Sequence, residues 1–238
     1  MALFQSYFER FALVSLEKQE RLFRALGDHS LDLDLDSGLA RFSSGLSCSF
    51  QVLGTESENT LTWLWGWADE QTEMQETLLA SCRELKAWAG REHLSEFTVP
   101  SLHMNCADGT KLSLVSSIVC KASAFYRDHY EGGTLFLLLF CRGLEAYPGF
   151  NRKELIRRFR ELSQTYDGDF CNILLSYFKE RGFPVSESNR QISGELGTGE
   201  RLIADLDEHG NITSLNGEPF LLEEHQEWSS HGQNPHHR

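Results

Sequence analysis

Phe4, Tyr7, Phe8, Phe11, Val14, Leu22, Phe23 and Leu26 recur at three- and four-residue intervals, and Gly27 stands where the run stops. That spacing predicts an amphipathic helix, or two in succession, with its aromatic face on a sheet. From Leu31 the period changes to two. Leu31, Leu33 and Leu35 alternate with Asp32, Asp34 and Asp36, and Ser37-Gly38 turns the chain toward Leu39 to Phe42. After Ser43-Ser44-Gly45, the residues Leu46, Cys48, Phe50 and Val52 alternate with Ser47, Ser49 and Gln51. Such alternation predicts strands wet on one face and buried on the other. Loops this short predict an antiparallel meander, because parallel neighbours need long crossovers.

The next strand is the most distinctive stretch of the chain: Leu61 to Asp69 carries three of the five tryptophans. Side chains alternate across a strand, so Leu61, Trp63, Trp65 and Trp67 are expected on one face and Thr62, Leu64 and Gly66 on the other. Three indoles on one face need a cover, either a packed helix or a ligand cavity with polar groups at its rim. The first is the more common use of an apolar stripe at strand spacing.

Helical spacing returns over Glu70 to Trp88, with Met74, Leu78, Cys82 and Leu85 on one face and Gly90 beyond. Leu94 to Asn105 reads as extended or irregular, broken at Pro100. Asp108 is placed to cap a further helix, with Leu112, Val115, Val119, Ala122 and Tyr126 as its buried stripe, stopping before Glu131-Gly132-Gly133. Thr134 to Cys141 is apolar on both faces, as a central strand requires. Past Tyr147-Pro148-Gly149, Asn151 and Glu154 have capping-box spacing. Ile156, Phe159 and Leu162 then face inward, and a second helix carries Phe170, Ile173, Leu174, Tyr177 and Phe178 to Arg181-Gly182. Two-period segments follow at Arg190 to Leu196 and Arg201 to Leu206, and Asp207 to Gly210 makes a hairpin into Asn211 to Leu215. The expectation is an α+β fold, an antiparallel meander packed against several α-helices. Residues 1–147 carry the tryptophan strand, 148–223 form a helical pair and hairpin free to pack as part of the same domain, and 224–238 form a polar, frayed tail.

Gly54, the turn Thr55 to Asn59, and Thr62-Trp63-Leu64-Trp65-Gly66-Trp67-Ala68-Asp69 together resemble the signature of an uncharacterised bacterial domain family, with Thr-Trp-x-Trp-x-Trp-Ala-Asn after the turn. The likeness spans roughly Leu31 to Phe140, and Asp69 departs from the family's Asn. The resemblance implies fold and bacterial origin. It lends no activity.

The net charge of −13 steers the protein away from nucleic-acid backbones and anionic membrane surfaces and toward basic partners. Its six cysteines are evenly spread with no close pair, and the first residues lack the basic and apolar regions of a signal peptide. Free thiols in a reducing cytoplasm are therefore expected. The longest apolar run, Leu135 to Cys141, is far short of the ~20 residues that span a bilayer.

Candidate chemistry is sparse. Asp32, Asp34 and Asp36 begin like a calcium loop, but Ser37 occupies the glycine position and Ser43 the closing carboxylate. Asp205, Asp207, His209 and Gly210 fit the first half of such a loop better, yet Asn216 replaces its closing Glu, and a hairpin turn explains them without metal. His103 and Cys106 make half a zinc site with no second half, and Cys106 with His103 or His129 as base is the one candidate nucleophile. Gly194, Gly197 and Gly199 precede a strand rather than a helix, unlike a phosphate loop. Arg152, Lys153, Arg157, Arg158 and Arg160 form the one basic patch, interleaved with Glu154 and Glu161 as on a solvated helix face. No cofactor, metal or catalytic set is implied, although carboxylates near Asp69, Glu70 and Glu73 would be the place for one. An enzyme built on Cys106 or on those carboxylates is the least supported function, and two others stand ahead of it. The first is a non-enzymatic bacterial interaction protein, an immunity or adaptor factor binding a basic protein. The second is a small-molecule module whose cleft is lined by Trp63, Trp65 and Trp67, with Thr62, Asp69 or Arg127 as polar contacts.

Overall fold

The computed structural model describes residues 2–69 and 74–220. Helix α1 (Ala2–Leu26) is a single helix of 25 residues. No Gly or Pro interrupts it, and Gly27 closes it at φ +54° with its N–H on the Phe23 carbonyl at 3.0 Å. Phe4, Phe8, Leu22 and Leu26 are buried, whereas Phe23, predicted for the same stripe, is 49% exposed.

The first sheet has seven antiparallel strands: β1 (Leu31–Asp34), β2 (Leu39–Phe42), β3 (Ser47–Ser57), β4 (Thr62–Trp65), β5 (Ser101–His103), β6 (Ala124–Tyr130) and β7 (Gly133–Phe140). The meander runs β1-β2-β3-β4-β5 as expected, but the sheet is branched. β7 follows one edge of β3 from Ser49 to Ser57, so β2, paired at Ser47 to Ser49, and β4, paired at Gly54 to Ser57, must share the other edge. Between them the register slips, leaving Leu53 as a bulge residue. β6 lies outside β7, which makes β7 the central, doubly covered strand its composition predicts.

Several expectations need correction. The helix expected from Asp108 to Tyr130 is α3 (Gly109–Val119) followed by a strand. Asp108 does cap it, accepting the Lys111 N–H at 2.6 Å. Lys121 then takes φ +55° and reverses the chain into β6. Ala122 and Tyr126 fit a period of two as well as one of four, and pairing with β7 decides between them. The helix expected from Glu70 is α2 (Glu76–Arg91), and it continues through Gly90; Glu70 to Glu73 lie outside the described residues. Cys48 and Cys141 are joined by a disulfide across the β3–β7 ladder, with Cα atoms 4.4 Å apart. Their sequence separation of 93 hid this pairing, and only the register, with Ser49 opposite Phe140, brings them together. Cys82, Cys106, Cys120 and Cys171 are free, as expected.

Helix α4 (Arg152–Thr165) starts with the predicted capping box: Asn151 Oδ1 accepts the Glu154 N–H, and Glu154 accepts the Asn151 N–H. Helix α5 (Phe170–Glu180) follows, with Gly182 at φ +65° just beyond it. The second sheet is a five-stranded antiparallel meander of β8 (Val185–Ser188), β9 (Gln191–Glu195), β10 (Arg201–Leu206), β11 (Ile212–Leu215) and β12 (Glu218–Pro219). Gly194 lies under the Phe178 ring, so closely that a Cβ there would sit 2.2 Å from it. One buried cluster runs from Phe4 to Phe220. The tail expected from 224 onward lies outside the described residues.

Candidate functional site

The tryptophan strand is core. Trp63 and Trp65 have no exposed surface, stand edge to face with centroids 5.1 Å apart, and pack on Phe136 and Phe97. Trp65 Nε1 donates to the Glu96 carbonyl at 3.1 Å. Two glycines allow this closeness, since a Cβ on Gly54 or on Gly109 would come within 2.5 Å of the Trp63 ring. Trp67 does not continue their strand. β4 stops at Trp65, where pairing with β3 reaches the bulge, and Gly66–Ala68 is a 3-10 turn. The Trp67 ring is half-buried there, with Lys86 Nζ 3.4 Å from its centroid. A cleft against this face would have to open between rings that have no exposed surface. Asp69 follows the turn, whereas Arg127 lies on β6, three strands from β4 and so roughly 14 Å away at sheet spacing. The expected polar rim is thus not brought together.

Arg127 instead lines a cavity of about 300 Å³ between the second half of α1 and β6, shared with Leu16, Gln19, Leu22, Tyr126 and Thr110. Its Nη1 reaches Thr110 Oγ1 at 3.4 Å. Next to this cavity, at the start of α3, polar groups satisfy one another. Glu56 Oε1 accepts the Gly109 N–H at 2.5 Å, and Tyr166 donates to Asp108 Oδ1 at 3.1 Å. Burial raises the Glu56 pKa against the opposing pull of the Gly109 N–H, and burial followed by the Asp108 charge raises that of Tyr166. The sequence reading missed Glu56, taken as part of a turn, and Gln19. Their signals were present: Ser15, Gln19, Leu22 and Leu26 share helical spacing and are all buried, so a glutamine stands in an otherwise closed stripe.

The outer edge of the first sheet is acidic. β1 pairs only with β2 among the described residues, leaving its other edge open. Asp28, Asp32 and Asp36 are exposed there, and Leu35 is 54% exposed. Arg41 is the one cation of residues 27–46 and bonds Asp34 at 3.2 Å. The Asp34 carboxylate is held down to about 2, first by its hydrogen bonds to Ser37 and then by Arg41. The three aspartates thus form a turn cap and a wet face rather than a cation cage.

The other motifs have structural uses. Asp207 Oδ1 accepts the His209 and Asn211 N–H groups at 2.9 and 2.8 Å, closing the β10–β11 turn. His103 Nδ1 accepts the Asn105 N–H at 3.2 Å, and Cys106 is exposed beside it. His129 Nδ1 is bonded to Thr134. In α4, Arg157 and Arg158 clamp Glu20 of α1, and Arg160 donates to the Pro219 and Phe220 carbonyls. This basic patch is therefore largely spent on tying α4 to α1 and to the second sheet. Among the described residues no group of three or more His, Cys, Asp or Glu could hold a metal ion, and no helix is long and apolar enough to cross a membrane.

Residues 5–141 match the model of a family described as a family of unknown function, DUF6882. The match includes most of α1, which the tryptophan signature alone left out. No curated protein and no solved structure matches the chain.

Proposed function

The chain belongs to that family of unknown function, and from its own residues we propose that it is a non-enzymatic interaction protein, an immunity or adaptor factor of the bacterial cytoplasm, that receives a basic polypeptide along β1. The open, acid-lined edge of β1 carries this reading. Four aspartates against one arginine give residues 27–46 a charge of 1 − 4 = −3. An unpaired strand edge offers backbone groups to an incoming strand, and the aspartates select for Lys and Arg on it. Acid on an edge strand also deters self-pairing, which suits a protein that must remain free for a different partner.

Titration with an extended peptide of alternating Lys and Val, at low and high salt, tests the proposal. Saturable binding that weakens with salt is expected, with about a tenfold loss in the Asp32→Lys/Asp36→Lys variant, or ~1.4 kcal/mol. Unchanged affinity in that variant would defeat the proposal. The cytoplasmic setting is supported by four unpaired thiols, while the Cys48–Cys141 disulfide argues for an oxidising compartment. Alkylation of cells lysed directly into denaturant decides, since Cys48 and Cys141 that react only after reduction would overturn the cytoplasmic assignment.

A further inference from the structure

The cavity between α1 and β6 lies along a strand edge. Among the described residues β6 pairs only with β7. The Glu58 N–H donates to the Gly132 carbonyl at 3.0 Å, one step beyond the Ser57–Gly133 pair. Antiparallel ladders alternate bonded with non-bonded pairs, so Gly132, Thr134 and Phe136 turn their backbone groups to β3, whereas Gly133, Leu135 and Leu137 turn theirs to Tyr130, Asp128 and Tyr126 of β6. The N–H and C=O groups of Phe125, Arg127 and His129 therefore point away from the sheet. The cavity follows that edge. Arg127 reaches Thr110 on one face of β6 and Tyr126 is bonded to His29 on the other, yet all four line it. A space that touches both faces of one strand must run past its edge. Its far wall is α1, where Leu22 and Phe23 line it and Phe23 is 49% exposed despite standing on the helix's apolar stripe. Arg127 and Arg158 also line it, and among the described residues no carboxylate does.

We propose that an extended polypeptide segment carrying both apolar and acidic residues adds to β6 in this groove. Its backbone bonds to Phe125, Arg127 and His129, its apolar side chains lie on Leu22 and Phe23, and its carboxylates face Arg127 and Arg158. In strand addition the main-chain bonds give affinity and the side-chain pockets give specificity, and a strand edge flanked by a helix offers both. The charge of −13 does not forbid an acidic segment: at 0.15 M salt it is screened beyond about 8 Å, so the two nearby arginines decide. The preference is opposite to that proposed for β1. The two edges are separate, with β6 beyond β7 and β1 beyond β2, so neither proposal rests on the other.

Anisotropy of a labelled, end-capped peptide of alternating Glu and Val, titrated with the full chain at that salt, tests it. Saturable one-to-one binding is expected. Methylating the backbone nitrogens of every second residue should weaken binding about tenfold for one of the two alternate sets and leave it nearly unchanged for the other, because an added strand turns only every second N–H to its neighbour. Phe23→Ser and Arg127→Gln should each weaken the unmodified peptide about fivefold, with circular dichroism showing that both variants are folded. The peptide of alternating Lys and Val, directed at β1, should not displace it. Absence of saturable binding, equal effects of the two methylated sets, full affinity in both variants, or displacement by the Lys and Val peptide would overturn the proposal.

Discussion

Glu17 is the residue on which the union of the two halves can be tested. It lies on α1 with 2% exposure, accepts from the Tyr177 hydroxyl of α5 at 2.7 Å, and is paired with Arg21 at 2.6 Å and Arg181 at 3.2 Å. Gly149 lets the chain pass directly over it. Replacing Glu17 by Leu keeps volume in the core but leaves Arg21, Arg181 and the Tyr177 hydroxyl without their acceptor. Breaking a buried ion pair from one side typically costs about 3–5 kcal/mol, because the stranded charges remain desolvated. For a chain of this length that is a fall of about 6–20 °C in melting temperature, a large share of ordinary domain stability. Urea denaturation followed by tryptophan fluorescence and far-UV dichroism is the assay. Four of the five tryptophans lie before residue 148, whereas dichroism reports both portions. The expected result is one coincident transition, shifted to lower urea. A Tyr177→Phe variant should lose about 1–3 kcal/mol alone and much less when combined with Glu17→Leu, since the two share one interaction. A cost below about 1 kcal/mol for Glu17→Leu, or separate transitions for the two probes, would refute the reasoning.

Three further outcomes follow from local geometry. Gly109→Ala places a Cβ 2.5 Å from the Trp63 ring and 2.7 Å from that of Phe136, so a loss of about 1–3 kcal/mol is expected in a thermal melt, with altered near-UV dichroism from the displaced indole. Because burial raises the Glu56 pKa above its ordinary 4.5, the stability it contributes is present below 4.5 and lost as pH rises through the folded value. Glu56→Gln keeps an acceptor for Gly109, so the variant should gain on the unsubstituted protein between about pH 4 and pH 7 in paired melts, and a gap that narrows instead contradicts the sign. Burial pushes the Cys82 and Cys120 thiols up to about 11 and about 12, so an aromatic disulfide reagent at neutral pH should label exposed Cys106 first and these two only on unfolding, as read by peptide mass spectrometry.

The parts of the fold that could be read from residues were those governed by local rules. The Asn151–Glu154 box, the Asp108 cap, the alternation through β1 to β3 and the all-apolar β7 each depend on a few neighbouring side chains, and each formed as read. What escaped depends on distant partners. Ala122 and Tyr126 satisfy both periods, and only the β7 edge makes Ala124–Tyr130 a strand. The Cys48–Cys141 pairing needs the β3–β7 register. Trp67 leaves the strand because the bulge at Leu53, on the neighbouring β3, ends the ladder beside it. The candidate sites follow the same division. The acidic alternation at Asp32 to Asp36 is visible in the sequence, but its position on an open edge is not. Arg127 could be named from its residue type, but Gln19 could not be set opposite it without knowing that α1 lies along β6.

The branching at β3 has a mechanical consequence. A strand that carries two limbs on one margin and a continuous neighbour on the other serves as a trunk, and its two limbs need not move together. On the proposed function, a strand added at the open edge of β1 would extend the limb formed by β2 and β1, whereas the indoles are held in the other limb, by β4.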